Sequence, residues 1–261
     1  MMYGEERKKQ IVEFVNQHGR ASVQELCQTY DVSESTIRRD LKELEEEKLI
    51  KRAHGGAVSL QSVNFEPSFM EKEDTFKQEK KAIAKKAAEL IEEGDTILID
   101  SGTTTFYMIE ELKNFSRLTV VTNSLVTALE LQQMSTIDVI VLGGALRRDI
   151  ISLVGPVTNQ SLQMIRVDKA FIGTNGLDVQ EGLTTPNLME AETKKQMLHS
   201  AKQVIVLADS SKIGKVTFAK VADIERVDKC ILDSGVSPHF VQQLEEIGVD
   251  VYIAEVTEEI V

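Results

Sequence analysis

The segment VSESTIRRDLKELEEEKLIKRAHGGAV, residues 32–58, decides the fold of the first part of this chain. Ser33 belongs to the residue types that cap helix N-termini. The apolar residues that follow recur at the spacing of one helical face: Ile37, Leu41 and Leu44. These positions predict an amphipathic helix that begins after Ser33. The chain then continues into KRAHGG, residues 51–56, in which two glycines indicate the turn of a small basic hairpin.

The exposed face of the predicted helix carries short hydroxyl side chains and arginines. Short side chains allow a helix to approach the major groove of DNA closely, and arginine binds guanine edges and phosphates. The basic hairpin would lie as a wing along the DNA backbone or in a minor groove. The residues that we expect to contact DNA are Ser33, Ser35, Thr36, Arg38, Arg39, Lys42, Arg52 and His54.

The preceding segment indicates that this helix belongs to a DNA-binding domain and is not an ordinary amphipathic surface helix. Residues 7–18 carry apolar side chains on one face, which predicts a first helix that stops at Gly19. Ser22 and Glu25 have the spacing of a capping box, so a second helix is expected to begin there and to run to Tyr30. Three short helices followed by a hairpin make a winged helix-turn-helix.

The charge of the chain counts against DNA binding when it is taken as a total. The 261 residues, of which 42% are hydrophobic, are enough for two domains with cores, and their net charge is −12. Residues 1–58 carry a net charge of −1, however, and the remainder carries −11. Because local patches set the attraction to phosphates, the acidity of the larger part does not exclude a DNA-binding face.

The sequence indicates a cytoplasmic protein without membrane attachment. No apolar run approaches the ~18 residues that a membrane span needs. The first ten residues are not followed by the apolar segment of a signal peptide. Cys27 and Cys230 fall in separate predicted domains, which is typical of free thiols in a reducing compartment. No cysteine and histidine cluster has metal-ligand spacing, and neither a metal ion nor a cofactor is expected.

The chain is predicted to have two domains. Residues 59–75 lack periodicity and contain Pro67, which indicates a linker between a DNA-binding domain, residues 1–58, and a second domain, residues 76–261. From residue 76 onward, apolar strand patterns alternate with helical patterns. This alternation predicts an α/β domain with a largely parallel sheet and helices on both faces. Residues 146–153 are interpreted as one further strand.

Loops rich in polar residues follow the predicted strands, and ligands of such sheets bind beyond the carboxyl ends of the strands. The first loop, DSGTTT at residues 100–105, combines a glycine, four hydroxyls and the start of a helix whose N–H groups favour an anion. Basic residues in later loops would add positive charge. The pattern predicts a site for a phosphate and for sugar hydroxyls. The residues expected to form it are Asp100, Ser101, Gly102, Thr103, Thr104, Thr105, Asn123, Gly143, Gly144, Arg147, Asn175 and Lys212.

Each of these features also has a structural explanation. Glycine, serine and threonine commonly form turns and caps between strands and helices. Arg147, Arg148 and Lys212 are explained equally well as surface charges, and residues 184–187 as a helix cap. The four histidines are scattered, and none is assigned to catalysis. The convergence of five such loops is what favours a ligand site.

The chain resembles DeoR-type bacterial transcription regulators along nearly its whole length. In the first domain the resemblance is carried by SESTIRRDL, residues 33–41, and RAHGG, residues 52–56. In the second it is carried by DSGTTT (100–105), TN (122–123), LGG (142–144), GTNGL (173–177) and ADSSK (208–212). Both sets fall in the order that the family shows.

The resemblance implies a repressor of sugar-catabolism genes that binds a double-stranded DNA operator and is released by a phosphorylated sugar. It also implies a homo-oligomer, a dimer or a tetramer, assembled through the second domain. That domain is similar in fold to ribose-5-phosphate isomerase and coenzyme A transferases. By the match to the isomerase, the phosphate is assigned to residues 101–105.

Two other functions remain open at this point. The first is a sugar-phosphate isomerase or related transferase with an appended helical domain. The isomerase carries an acidic pair in a loop comparable to residues 173–178, whereas only Asp178 is acidic here. No catalytic residue is therefore assigned, and an enzyme is not expected. The second is a ligand-binding module whose helical domain contacts proteins, which substitutions of Arg38 and Arg39 without functional effect would favour.

Overall fold

The computed structural model describes residues 4–53, 55–59 and 66–256. The chain divides into two compact units, Met1–Glu66 and Pro67–Val261. The first unit is the smaller of the two.

The N-terminal unit contains three helices and a three-stranded antiparallel sheet. Its elements are α1 (Gly4–His18), β1 (Arg20–Ser22), α2 (Val23–Tyr30), α3 (Glu34–Glu46), β2 (Lys51–Ala53) and β3 (Gly56–Val58). The strand order is β1-β3-β2, so the wing hairpin pairs with a strand that precedes α2. The three helices and the hairpin were predicted, and the winged helix-turn-helix is confirmed. The strand β1 was not, because three residues are too few to show an alternating pattern.

Local signals explain why α2 begins where it does and why the wing lies close to it. Ser22 Oγ accepts a hydrogen bond from the Glu25 N–H at 3.2 Å, and the Ser22 N–H donates to Glu25 Oε2 at 2.7 Å. A Cβ atom at Gly56 would lie 2.1 Å from the carbonyl oxygen of Ala21, so the β1–β3 pairing requires glycine there. The helices enclose a core of their own: Ile11, Val15, Leu26, Ile37, Leu41, Leu44 and Ile50.

The second unit is organised around a seven-stranded parallel sheet. The unit as a whole contains these strands, seven of which form the large sheet: β4 (Thr96–Ile99), β5 (Leu118–Thr122), β6 (Ile137–Val141), β7 (Ala145–Arg147), β8 (Ser152–Val154), β9 (Val167–Gly173), β10 (Gly176–Asp178), β11 (Gly182–Thr185), β12 (Ala201–Ala208), β13 (Ala219–Ala222), β14 (Lys229–Asp233) and β15 (Asp250–Ala254). The order in the large sheet is β15-β14-β12-β9-β4-β5-β6, and every pairing is parallel. The predicted α/β class with a parallel sheet is confirmed.

Helices cover both faces of this sheet. They are α4 (Phe69–Glu73), α5 (Lys77–Ala88), α6 (Thr103–Phe106), α7 (Met108–Leu112), α8 (Leu125–Leu131), α9 (Pro156–Gln163), α10 (Leu188–Ser200) and α11 (Pro238–Ile247), with 3₁₀ turns at Ser210–Lys212 and Ile224–Arg226. In β4, Ile97 and Ile99 pack into the cluster with α5 and α7, whereas Leu98 packs into the cluster with α10 and α11. Burial on both faces explains why the strands read as continuous apolar runs.

Two parts of the second unit differ from the prediction. Residues 146–153 do not form one strand, because β7 and β8 pair antiparallel as a hairpin. Its turn holds Ile151 at a positive φ of 51°, and the polar residues before it break the apolar pattern. A second small antiparallel sheet, β10-β11-β13, was also missed, since its strands are only three or four residues long.

The predicted linker, residues 59–75, is too long at its C-terminal end. The boundary between the units falls at Glu66 and Pro67, and α4 lies beyond it. Ser68 caps α4 with a capping box, and the buried Phe69 packs edge-to-face on Phe106 with ring centroids 5.6 Å apart. One buried aromatic residue in a five-residue helix gives too short a pattern to be recognised in the sequence.

Candidate DNA-binding surface and ligand site

The helix α3 buries its apolar stripe and presents the predicted DNA-contacting residues on its other side. Ser33 caps the helix, because its Oγ accepts a hydrogen bond from the Thr36 N–H at 3.3 Å. Among the predicted residues, Thr36 is half-buried and His54 lies outside the described residues. The exposed ones are Ser33, Ser35, Arg38, Arg39, Lys42 and, in the wing strand β2, Arg52. Hydroxyls and basic groups therefore share one accessible surface.

Arg38 and Arg52 make weak ion pairs on this surface. Arg38 Nη2 lies 3.2 Å from Glu34 Oε2 one turn earlier, and both side chains are more than half exposed. In the wing, Arg52 Nη1 lies 3.9 Å from Glu45 Oε2. Exposed pairs of this kind contribute roughly 0–1 kcal/mol, so DNA phosphates can replace the carboxylates at little cost. The exposed Arg39 makes no ion pair with any residue in the described ranges.

In the second unit, the loop of residues 100–105 joins β4 to α6 at the carboxyl edge of the sheet. Thr103 and Thr104 are buried at 5% and 8% exposure. The Thr105 hydroxyl donates within the loop, to the carbonyl oxygens of Asp100 at 2.7 Å and of Gly102 at 3.0 Å. Thr105 therefore shapes the loop. The helix α6 has four residues, so its dipole is a small contribution to anion binding, contrary to the expectation from the sequence.

Two buried polar atoms in this loop have no hydrogen-bond partner among the residues that the structure describes. They are Asp100 Oδ1 and Ser101 Oγ, on residues that are 0% and 6% exposed. The Ser101 N–H is satisfied by Asn123 Oδ1 at 3.0 Å, and Asn123 Nδ2 donates to the Leu153 carbonyl oxygen at 3.0 Å. Asn123 thus holds the loop in place. Unsatisfied buried polar groups are rare in proteins, so these two atoms are candidates for binding a ligand.

A chain of four charged side chains runs behind the loop. Lys194 Nζ donates to Asp100 Oδ2 and to the Gly173 carbonyl oxygen, the latter at 2.9 Å. Glu190 Oε1 lies 3.6 Å from the same ammonium, and Glu190 Oε2 accepts from Arg147. Burial raises the pKa of Asp100, and the charge of Lys194 opposes that shift. Arg147, which was predicted as a ligand residue, donates to Glu190 in the structure.

Sequence reasoning missed Glu190 and Lys194, although both are about 97% buried. Their i, i+4 spacing in a predicted helix was visible. An acid and a base at that spacing are the usual composition of an exposed helix face, so nothing in the sequence marked them as buried. Only the placement of α10 against the sheet brings them beside the loop.

A second group of basic residues surrounds the loop that follows β12. Lys212 Nζ lies 3.9 Å from Asp209 Oδ2, and burial lowers the pKa of Lys212. Lys80, on α5, donates to the Lys72 carbonyl oxygen, and its side chain is 3% exposed. Burial lowers the pKa of Lys80 to about 8, the charge of Asp209 opposes this, and the nearby Lys212 and Lys72 add to it. Lys212 was predicted as a ligand residue, whereas Lys72 and Lys80 were not.

Three other predicted ligand residues make structural contacts. A Cβ atom at Gly144 would lie 2.1 Å from Thr158 Oγ1, so this glycine permits close packing of α9. Thr158 Oγ1 also donates to the Gly143 carbonyl oxygen at 2.5 Å. Asn175 Oδ1 accepts a hydrogen bond from Thr185 Oγ1 at 3.2 Å. These contacts are sufficient reasons for the residue types at these positions, independent of any ligand.

Comparison with protein families agrees with this arrangement of two units. The model described as the DeoR-like helix-turn-helix domain matches residues 7–63. The model described as the DeoR C terminal sensor domain matches residues 75–234, more than half of the chain. The chain belongs to the DeoR family.

Relatives of this DeoR family member are similar over nearly their whole length. An uncharacterized HTH-type transcriptional regulator of Bacillus subtilis, YulB, is 42% identical over 94% of this chain and 95% of the relative. The HTH-type transcriptional regulator GlpR of Haloferax volcanii is 40% identical over 94% and 96%. The lactose phosphotransferase system repressor of Staphylococcus epidermidis is 37% identical over 88% and 92%. Such identities place the chain among transcription regulators.

Solved structures resemble this DeoR protein more distantly. Ribose 5-phosphate isomerase A of Methanocaldococcus jannaschii is 21% identical over 51% of this chain and 53% of that chain, with a TM-score of 0.38. A likeness at this level carries no argument about catalysis. Glu190, a buried carboxylate near the loop that sequence reasoning missed, is engaged by Arg147 and Lys194, which disfavours a role as a general base.

None of the helices in the ranges 4–53, 55–59 and 66–256 is long and apolar enough to cross a membrane. No three His, Cys, Asp or Glu side chains in those same ranges are grouped so as to hold a metal ion.

Proposed function

We propose that this protein acts in the cytoplasm as a repressor of a sugar-catabolism operon, and that a phosphorylated sugar bound in the second unit relieves the repression. The observation that carries the ligand part is the pair of unsatisfied atoms, Asp100 Oδ1 and Ser101 Oγ, at the carboxyl edge of the sheet. The names of several relatives, such as the lactose phosphotransferase system repressor, support a role in sugar metabolism.

The proposed operator interface is the exposed side of α3 together with the wing. Ser35, Arg38 and Arg39 would meet base edges and phosphates in the major groove, since α3 is the third helix of a winged helix-turn-helix. Arg52 and His54 would contact the backbone. The weak ion pairs of Arg38 and Arg52 support this assignment, because exchange of carboxylates for phosphates keeps the cations paired.

The proposed phosphate position lies between the loop of residues 101–104 and two lysines: Lys212, which follows β12, and Lys80 of α5. The buried Lys80 and the partly exposed Lys212 both lie near the carboxylate of Asp209, and the charge of Glu73 also acts on Lys80. A further negative charge close to both lysines would stabilise both cations. The attraction of these lysines replaces the helix dipole that was expected from the sequence.

Relief of repression requires that the ligand bind one arrangement of the protein better than another. We propose a homo-oligomer, since two copies of α3 can read two half-sites of one operator. A coupling of roughly 1–3 kcal/mol between ligand and operator would change operator affinity about 5–150-fold.

A thermal-shift panel of sugar phosphates on the full-length protein tests the ligand part. A ligand at about 100 times its Kd stabilises the folded state by roughly 2.7 kcal/mol, which raises the melting temperature measurably. Lys212→Met should abolish the shift, whereas Lys215→Met, at an exposed neighbouring position, should leave it unchanged. The ligand that raises the melting temperature should also release a DNA duplex taken from upstream of the protein's own gene. Absence of any shift across the panel would contradict the assignment of a sugar phosphate.

A further inference from the structure

The two unsatisfied atoms of the ligand loop differ in what they can bind. Asp100 Oδ1 belongs to a fully buried carboxyl group whose other oxygen already accepts from Lys194 and, at 3.0 Å, from the Gly173 N–H. Ser101 Oγ belongs to the next residue and both donates and accepts. A neutral O–H group of a ligand both donates and accepts, so it can donate to the carboxylate oxygen and pair with the adjacent hydroxyl.

A phosphate does not suit this position. A phosphate monoester carries about two negative charges at neutral pH and only acceptor oxygens. Placed against the carboxyl group of Asp100 in a buried site, it would be repelled at short range and would leave Oδ1 without a donor. The cations that favour a phosphate belong to the other group, at Lys80 and Lys212, on the side of the loop after β12.

We infer that Asp100 and Ser101 bind a hydroxyl group of the ligand, while the phosphate lies toward Lys80 and Lys212. The inference rests on the proposed function and deepens it, because it assigns separate partners to the two ends of the ligand. The ligand class is then a phosphate monoester that also carries hydroxyl groups. A site built to bind a hydroxyl rejects analogues that lack it, since the buried polar groups then stay unpaired.

Isothermal titration calorimetry on the full-length protein tests this division. The probes are glucose 6-phosphate, fructose 6-phosphate, fructose 1-phosphate, ribose 5-phosphate and glycerol 3-phosphate, with ethyl phosphate and inorganic phosphate as analogues without carbon-bound hydroxyls. We expect at least one hydroxylated probe to bind 100-fold or more tightly than ethyl phosphate.

Two variants then measure the contribution of the loop. Asp100→Asn should reduce the preference for the hydroxylated probe about 10–100-fold, because a hydrogen bond to a charged group is lost, and should leave the affinity for ethyl phosphate unchanged or higher. Ser101→Ala should reduce the preference about 3–10-fold by loss of a neutral hydrogen bond. Ser161→Ala, which removes a hydroxyl bonded to the Val157 carbonyl oxygen on α9, is the control and should change nothing.

The outcomes distinguish the inference from the proposed function. If a hydroxylated probe binds the wild-type protein and both loop variants keep its preference over ethyl phosphate, the inference is wrong while the ligand site stands. If none of the hydroxylated probes binds the wild-type protein, both fail together. Should Asp100→Asn not fold, Ser101→Ala decides alone, because removal of one unpaired hydroxyl leaves the ion pair of Asp100 with Lys194 intact.

Discussion

Arg7 and Asp40 join the first and third helices of the N-terminal unit through two hydrogen bonds. The distance is 2.6 Å from Arg7 Nε to Asp40 Oδ2 and 3.2 Å from Arg7 Nη2 to Asp40 Oδ1. The two side chains are only 12% and 7% exposed. Because Asp40 lies on the same helix as Arg38 and Arg39, this contact sets the orientation of the surface proposed to bind DNA.

We expect Arg7→Met to destabilise the N-terminal unit. The substitution leaves the Asp40 carboxylate without its two donors. A hydrogen bond to a charged group contributes about 1.5–3 kcal/mol to the free energy of unfolding. Urea unfolding followed by far-ultraviolet circular dichroism measures the loss. The double variant Arg7→Met/Asp40→Leu should recover part of it, since both charges are then absent. If the losses of the two single variants simply add in the double variant, the two residues are not coupled.

The two glycines of the wing turn should respond differently to alanine. A Cβ at Gly56 would lie 2.1 Å from the Ala21 carbonyl oxygen and 2.8 Å from Ser22 Cα, so Gly56→Ala forces β3 away from β1. Gly55 has open space around it and a φ of +83°, so Gly55→Ala adds only backbone strain of about 1–2 kcal/mol. We expect Gly56→Ala to lower both the unfolding midpoint and the operator affinity more than Gly55→Ala. Equal effects would argue against the close packing of β1 and β3.

Arg39→Ala should weaken operator binding without changing stability. Arg39 is exposed on α3, and one base-edge or phosphate contact by arginine is worth about 1–3 kcal/mol. We expect about a 5–150-fold lower affinity for the duplex from upstream of the protein's own gene, measured by fluorescence anisotropy at several salt concentrations. Arg226→Ala removes the same charge from an exposed position in the second unit and serves as the control. Similar losses in both variants would indicate a non-specific effect of net charge.

Lys194→Met should destabilise the second unit strongly. It leaves the fully buried carboxyl group of Asp100 without its ammonium partner, and breaking a buried ion pair from one side costs about 3–5 kcal/mol. Lys195→Met, at the adjacent exposed position, is expected to have little effect. Thermal unfolding of the two variants makes the comparison. A similar melting temperature for both would show that Asp100 does not depend on Lys194.

Ligand binding should take up a proton near pH 8. Burial lowers the pKa of Lys80 to about 8, so this group is partly neutral in the free protein, and a bound phosphate dianion would raise its pKa. Affinity should therefore fall as the pH rises through 8. Calorimetry in two buffers of different ionisation enthalpy measures the proton uptake. Lys80→Met should abolish it, and Lys81→Met, at an exposed position, should not. Uptake that persists in Lys80→Met would assign the proton to another group.

The lowered pKa of Lys80 also makes the stability of the free protein depend on pH, in the direction opposite to the ligand affinity. Since burial disfavours the charged form of Lys80 in the folded state, the unfolded state binds more protons between pH 8 and the ordinary lysine pKa of about 10.4. The contribution of Lys80 to the free energy of unfolding therefore increases with pH across that window. Below pH 8 both states are protonated, and the contribution no longer changes.

Local signals made the first unit predictable. The helices α2 and α3 begin at caps that are local in the sequence: the capping box of Ser22 and Glu25 and the N-cap at Ser33. The spacing of these residues and the apolar periodicity were therefore sufficient to predict both helices. The ion pair of Arg7 and Asp40 spans 33 residues, and nothing local indicated that Asp40 would be buried. The strand β1 was missed because its three residues are too few to show an alternating pattern.

The candidate ligand site was predictable only in part. The loop of residues 100–105 was found because strand, glycine and hydroxyls follow one another directly. Lys80 and Lys194 come from α5 and α10, which reach the loop only when the sheet is assembled. Their chemistry in the sequence is that of ordinary surface lysines, and burial, a property of the whole fold, is what distinguishes them.

Each unit has a hydrophobic core built from its own residues, with Leu41 in one and Phe171 in the other. A scanning calorimeter is therefore expected to record two heat-absorption peaks instead of one, so a single unfolding temperature does not describe this chain. A ligand of the second unit should move one peak and operator DNA the other. The peak that shifts identifies the unit that a compound binds, even before its site is known.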